Sequence, residues 1–90
     1  MAERTVVVLN AEGLHARPAA LLVKRASQFG GEIELESRGR TASAKSILGV
    51  LKLGVRQGDV LTIRVRGEGE ERALEDLTAL LAGPAEANRA

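Results

Sequence analysis

One histidine and a nearby arginine lie where a turn is expected to give way to a helix. His15 is the only histidine of the chain and belongs to the segment Gly13-Leu14-His15-Ala16-Arg17-Pro18-Ala19-Ala20. Pro18 suits the first turn of a helix, and residues 19–29 favour helix, so His15 is predicted at the helix start. The unpaired N–H groups and dipole there stabilise an anion, and the Arg17 guanidinium matches phosphate oxygens. A phosphate on His15 would therefore fit.

A simpler interpretation of the same residues stays open from local chemistry alone. A lone histidine at a helix cap is more often a surface residue that makes one hydrogen bond. In the functional interpretation, neutral imidazole is nucleophilic near pH 7, and the helix N-terminus disfavours imidazolium and keeps the lone pair available.

Composition restricts the other function classes. The 90 residues suffice for one domain with a core, and no cysteine is present. With a single histidine, we predict no metal site and no cofactor site. The 13 basic and 12 acidic residues nearly cancel, and Phe29 is the only aromatic residue, so we expect no nucleic acid partner. The apolar run at residues 5–9 is too short for a signal peptide or a membrane span, so we predict a cytoplasmic protein.

The hydrophobic periodicity predicts the element order βαββαβα. Strands are predicted at residues 4–10, 32–36, 41–43 and 60–66, and helices from His15 to about residue 28, at residues 47–53, and between Glu68 and Gly83. Residues 85–90 are expected to fray. A tight turn is predicted at residues 37–40, an N-cap at Ser46 and a helix stop at Gly54.

The strands alternate in polarity, which predicts one buried and one solvated face. An α+β, two-layer domain follows, with an antiparallel sheet covered by helices on one face. If the fourth strand lies beside the second, Arg64 and Arg66 meet Glu32, Glu34 and Glu36 on the solvated face. Periodicity alone leaves a ferredoxin-like split βαβ arrangement open. The expected helical core stripes are Ala19, Leu22, Val23, Ala26 and Phe29, and Ala73, Leu74, Leu77, Leu80 and Leu81.

Two segments carry a family resemblance: Gly13-Leu14-His15-Ala16-Arg17-Pro18-Ala19 and Ala44-Lys45-Ser46-Ile47-Leu48-Gly49-Val50-Leu51. Together they resemble HPr, the histidine-containing phosphocarrier of the phosphoenolpyruvate-dependent sugar phosphotransferase system, in register over residues 4–82. The resemblance implies an open-faced β-sandwich with strand order 1-4-2-3 and three helices on one face. Residues 1–90 would form a single HPr-like domain, with an ordered core at about residues 4–83.

The resemblance also implies a function. His15 would accept a phosphoryl group on Nδ1 from phosphorylated enzyme I and pass it to an enzyme IIA for sugar uptake, with Arg17 assisting. The protein would be a carrier, expected as a monomer, and not an independent enzyme. Two alternatives stay open: a regulatory protein that acts mainly through Ser46, and a carrier of the nitrogen-related branch.

Ser46 has a structural and a regulatory interpretation that can coexist. Its side chain can cap the second helix. By resemblance, an HPr kinase/phosphorylase would phosphorylate it, and a catabolite-control transcription factor would bind the product. The resemblance also implies a surface for partners, although some of its apolar members could instead be core. This predicted partner surface consists of apolar Ala16, Ala20, Ile47, Leu48 and Leu51, rimmed by Lys24, Ser27 and Lys52.

Overall fold

The predicted element order is the order found. The structure, a computed structural model, describes residues 1–9, 11, 13–14 and 16–81. The strands are β1 (Ala2–Val7), β2 (Glu32–Ser37), β3 (Arg40–Ser43) and β4 (Val60–Arg66). The helices are α1 (Ala16–Ala26), α2 (Ile47–Leu53) and α3 (Glu70–Leu81).

The four strands form one sheet in the order β1-β4-β2-β3, with antiparallel pairing throughout. This is the order that the HPr resemblance implied. It excludes the ferredoxin-like alternative, because a split βαβ unit requires two parallel strands. The β2–β3 connection is the predicted tight turn. Its central residues, Arg38 and Gly39, both have positive φ (55° and 79°), the backbone form that matches the twist of a two-residue hairpin.

The core lies between one face of the sheet and the three helices. Strand alternation supplies its sheet side, with Ile33 and Leu35 from β2 and three residues from β4. The helical stripes supply the other side, with Leu22 of α1 fully buried. The buried stripe residues of α1 and α3 are Ala19, Leu22, Ala26, Leu74, Leu77 and Leu81, with Val23, Phe29, Ala73 and Leu80 packed at the margin. Both predicted stripes are thus confirmed.

The opposite, solvated face of the sheet carries the charged side chains of β2 and β4. Arg64 lies at the centre and forms ion pairs with glutamates of both neighbouring strands: Glu3 at 3.0 Å, Glu34 at 3.0 Å and Glu36 at 2.7 Å. These carboxylates raise the pKa of Arg64. Arg66 lies 3.6 Å from Glu32. The expected meeting of β4 arginines and β2 glutamates on the solvated face is confirmed.

The predicted boundaries of β1 and α1 were wrong by a few residues. β1 begins at Ala2 because residues 2–4 already pair with β4, and it ends at Val7. α1 ends at Ala26, since Gln28 and Phe29 donate to carbonyls three residues back and tighten the chain before Gly30. The predicted fraying of residues 85–90 lies outside the described residues. Among those described, none of the helices has the length and hydropathy to cross a membrane.

Candidate functional site

The first turn of α1 follows His15 directly in the chain. His15 itself lies outside the described residues, whereas α1 begins at Ala16 and contains Arg17 and Pro18 in its first turn. The helix thus begins within one residue of the predicted start, and the predicted place of His15 itself lies outside the described residues. Arg17 is exposed and makes no ion pair or side-chain hydrogen bond with another described residue. Its guanidinium is therefore available, on the described part of the molecule, for an anion at the beginning of α1.

The residues just before His15 are packed against the backbone that follows α2. The Leu14 N–H donates to the Val55 carbonyl oxygen at 2.9 Å, and the Leu14 side chain is buried. Gly13 has φ +63°, and a Cβ atom there would lie 2.5 Å from the Val55 oxygen and 2.8 Å from Cα of Arg56. Glycine is required at this position for two reasons, the left-handed backbone and the close approach.

Residues 8 and 9, which lie further towards the N-terminus, are hydrogen-bonded to the same stretch of chain after α2. Val8 donates its N–H to the Asp59 carbonyl at 3.0 Å, and Gly58 donates to the Val8 carbonyl at 2.8 Å. The side-chain amide of Gln57 donates to the carbonyl of Leu9 at 3.1 Å. The segment that leads to His15 is thus tied on both sides to residues 55–59.

Ser46 caps α2 as predicted. Its Oγ accepts a hydrogen bond from the Gly49 N–H at 3.0 Å, and the residue itself is extended, with φ −112°. At the other end, Gly54 takes φ +63° and its N–H reaches the Leu51 carbonyl. Ser46 is an exposed residue whose hydroxyl serves the cap.

Lys45, the neighbour of Ser46 in the second motif, has a structural role. Its Nζ donates to the carbonyl of Phe29 and, at 2.7 Å, to that of Gly31. These carbonyls lie in the connection between α1 and β2, so Lys45 ties that connection to the start of α2. The Lys45 ammonium group is therefore engaged in hydrogen bonds within the fold.

All eight residues of the predicted partner surface are exposed. The exposed fraction is 41% for Ile47, 63% for Leu48 and 37% for Leu51, whereas Val50 and Leu53 supply the core contacts of α2. The interpretation of the apolar members as core is therefore wrong. α1 and α2 are in contact, which brings the two halves of this surface to neighbouring helices. Exposed apolar side chains grouped in this way are typical of an interaction site.

Leu21 lies outside the predicted core stripe of α1, and the sequence alone gave it no functional role. Its exposed fraction is 53%, and it follows Arg17 by four residues and precedes Lys24 by three, so the three share one face of α1. A single exposed leucine carries no signal. Its spacing from Arg17 was the available clue.

Comparison with known proteins decides the family. The family described as "PTS HPr component phosphorylation site" matches residues 2–83. Phosphocarrier protein HPr of Haemophilus influenzae is 44% identical over 81 residues, which are 90% of this chain and 95% of that protein. The chain belongs to the HPr family. This is the family of the phosphocarrier HPr of the phosphotransferase system, which the two motifs implied.

Solved HPr structures have the same fold. HPr from Bacillus anthracis superposes with a TM-score of 0.87 at 41% identity, covering 89% of this chain and 95% of that one. Crh, a Bacillus subtilis catabolite repression protein whose crystal structure is a dimer with domain swapping, gives a TM-score of 0.70 at 42% identity, over 89% and 92% of the chains. The present chain therefore has the predicted open-faced sandwich fold, with three helices on one face of the sheet.

Proposed function

We propose that His15 accepts a phosphoryl group from phosphorylated enzyme I and passes it to an enzyme IIA of a sugar permease, in the cytoplasm. The observation that carries the proposal is the match to a family described by its phosphorylation site, spanning residues 2–83, in a chain with a single histidine. The start of α1 at Ala16, next to that histidine, supports it further.

The chemistry follows from the residue types at this helix start. The lone pair on Nδ1 of neutral imidazole forms the new nitrogen–phosphorus bond while the bond from phosphorus to enzyme I breaks. The exposed Arg17 guanidinium balances charge on the phosphoryl oxygens, and the backbone N–H groups of the first turn of α1 add to this. A carrier must also release the group, so modest stabilisation by a few exposed groups suits transfer in both directions.

The predicted partner surface would serve enzyme I and enzyme IIA in turn. Leu48 and Ile47 provide exposed apolar anchors, and Lys24 and Lys52 provide a charged rim, the arrangement that protein interfaces use. Because the donor and the acceptor must both reach His15, they would occupy the same face one after the other. A monomer that leaves this face open suits such an exchange.

Regulation at Ser46 is a second proposal, supported by its exposure and its place beside Ile47 and Leu48. An HPr kinase/phosphorylase would add a phosphate, which carries about −1.5 to −2 charges, at the edge of the partner surface. That charge would weaken binding of enzyme I and create a site for a catabolite-control transcription factor. In the alternative regulatory function, this second binding event would be the main one.

The test is phosphoryl transfer in a defined mixture. The protein is incubated with labelled phosphoenolpyruvate and a generic enzyme I, with Haemophilus influenzae HPr as the positive control. The proposal predicts acid-labile, base-stable label that moves on to a sugar-specific enzyme IIA. Absence of label on this chain, when the control is labelled, would contradict the proposal. Transfer only to a nitrogen-branch IIA would replace the sugar function with the nitrogen-related one.

A further inference from the structure

Residues 55–59 contact both ends of the chain segment at residues 8–14, which precedes His15 in the sequence. At the N-terminal end of this segment, the Val8 carbonyl accepts a hydrogen bond from the Gly58 N–H at 2.8 Å, and the Val8 N–H donates to the Asp59 carbonyl at 3.0 Å. At its C-terminal end, the Leu14 N–H donates to the Val55 carbonyl at 2.9 Å. The backbone next to His15 is thus hydrogen-bonded to this one turn.

The side chain of Asp59 forms a hydrogen bond across this turn. Its Oδ2 accepts the Arg56 N–H at 2.8 Å, while its own N–H donates to the Arg56 carbonyl at 3.0 Å, which closes the turn from both directions. Gly58 supplies the positive φ, 90°, that the turn needs. The hydrogen bond from Arg56 and the guanidinium of Arg38 hold the pKa of the Asp59 carboxyl below its ordinary value.

Arg38 connects the Asp59 carboxylate to the β2–β3 hairpin. The Arg38 guanidinium donates to Oδ1 of Asp59 at 2.8 Å, from the tight turn between β2 and β3. Beside it, the Ser37 hydroxyl donates to the Val60 carbonyl at 3.0 Å. The Asp59 side chain is 17% exposed and the Arg38 side chain is 64% exposed, so the contact lies at the surface with its carboxylate partly covered.

We propose that Asp59 is a positioning residue for phosphoryl transfer: it holds the 55–59 turn in the form that fixes the Gly13–Leu14 backbone, and so the approach to His15. The inference rests on the proposed carrier function and extends it to a residue outside the motif. Transfer in line between two proteins is sensitive to small displacements, and a shift of about 1 Å caused by a remote change can cost about 100-fold.

The test compares Asp59→Ala and Asp59→Asn with the wild type, and uses Asp76→Ala as the matched control. Asp76 also forms an ion pair, with Arg25 at 3.2 Å, but on the α1–α3 side of the molecule. Two measurements are made at a temperature where all four proteins are folded. Transfer kinetics give the maximal rate from enzyme I and the KM for the carrier, and hydrogen exchange gives the exchange rate of the Leu14 amide.

For Asp59→Ala, we expect a maximal rate about 10-fold lower, little change in KM, and faster exchange at Leu14. The asparagine oxygen can still accept from Arg56, so Asp59→Asn should recover most of the rate. Asp76→Ala should match the wild type in both measurements. This pattern separates positioning from a general loss of stability.

Two results would overturn the proposal. One is an Asp59→Ala protein that transfers as fast as the Asp76→Ala control; the other is unchanged exchange at Leu14. If the wild type accepts no phosphoryl group, the carrier function itself fails. The exchange measurement then still decides whether Asp59 holds the Gly13–Leu14 backbone, so the two failures are distinguishable.

Discussion

Replacing Gly13 with alanine would place a methyl group into backbone that cannot move aside easily. The new Cβ would lie 2.5 Å from the Val55 carbonyl oxygen and 2.8 Å from Cα of Arg56. Gly54 provides a matched control, because it has the same φ of +63° but nothing within 4 Å of its Cβ position. The two substitutions therefore share the backbone strain and differ in the steric clash.

The expected magnitudes follow from these two contributions. Left-handed backbone costs a residue with a Cβ roughly 1–2 kcal/mol, in both variants. Overpacking adds about 1–3 kcal/mol for Gly13→Ala alone. In a domain of this size, 1 kcal/mol lowers Tm by about 4–8 °C, so the Tm of Gly13→Ala should fall at least about 4 °C further than that of Gly54→Ala.

Thermal unfolding followed by circular dichroism, on the wild type and both variants, measures this difference. Transfer from enzyme I, measured well below both Tm values, should also fall for Gly13→Ala, since the displaced backbone lies two residues before His15. Equal Tm losses for the two variants would refute the close packing of Gly13 against residues 55–56. So would a larger loss for Gly54→Ala.

Three further predictions concern the charges and caps around the site. Arg17→Ala should slow transfer from enzyme I by about 10-fold or more, through the loss of a charge-assisted contact, with little change in Tm; unchanged rates would remove Arg17 from the site. Ser46→Ala should cost about 1 kcal/mol through loss of the bond from Gly49, whereas Ser46→Asp should keep its Tm and slow transfer by up to about 10-fold. An unfolded Ser46→Asp protein, or one with normal transfer, would leave Ser46 as a cap only. The pKa values of Asp59 and Glu70 lie below their ordinary 3.8 and 4.5, so the stabilisation from each is present above its ordinary value and is lost as pH falls through the lower folded-state pKa. In Asp59→Asn, Tm should therefore drop less steeply than in the wild type below about pH 3.8, and an identical slope would contradict this.

Much of the fold could be predicted from local patterns. Ser46 and Gly54 delimit α2 because cap chemistry depends on neighbouring residues alone. The alternation in β2 and β4 gave the buried face, and the rows of opposite charge indicated that these strands pair. The strand order itself came from the family resemblance, because periodicity does not say which strands are neighbours.

The supports of the site could not be predicted in this way. Gly13 meets Val55 and Arg56 across more than forty residues of chain, and Arg38 reaches Asp59 across 21. No local spacing encodes such contacts, since each depends on the complete sheet order. The exposure of Ile47, Leu48 and Leu51 was open for the same reason, because a short, mostly apolar helix does not reveal which side faces the core.

The most direct test of the carrier function is the effect of His15→Ala on phosphorylation by enzyme I. Wild type and variant are incubated with labelled phosphoenolpyruvate and enzyme I, after thermal unfolding has shown that both are folded. We predict one acid-labile, base-stable phosphate on the wild-type chain and none on the variant. Label that persists on His15→Ala, or wild-type label that is stable in acid, would contradict phosphoryl transfer through His15.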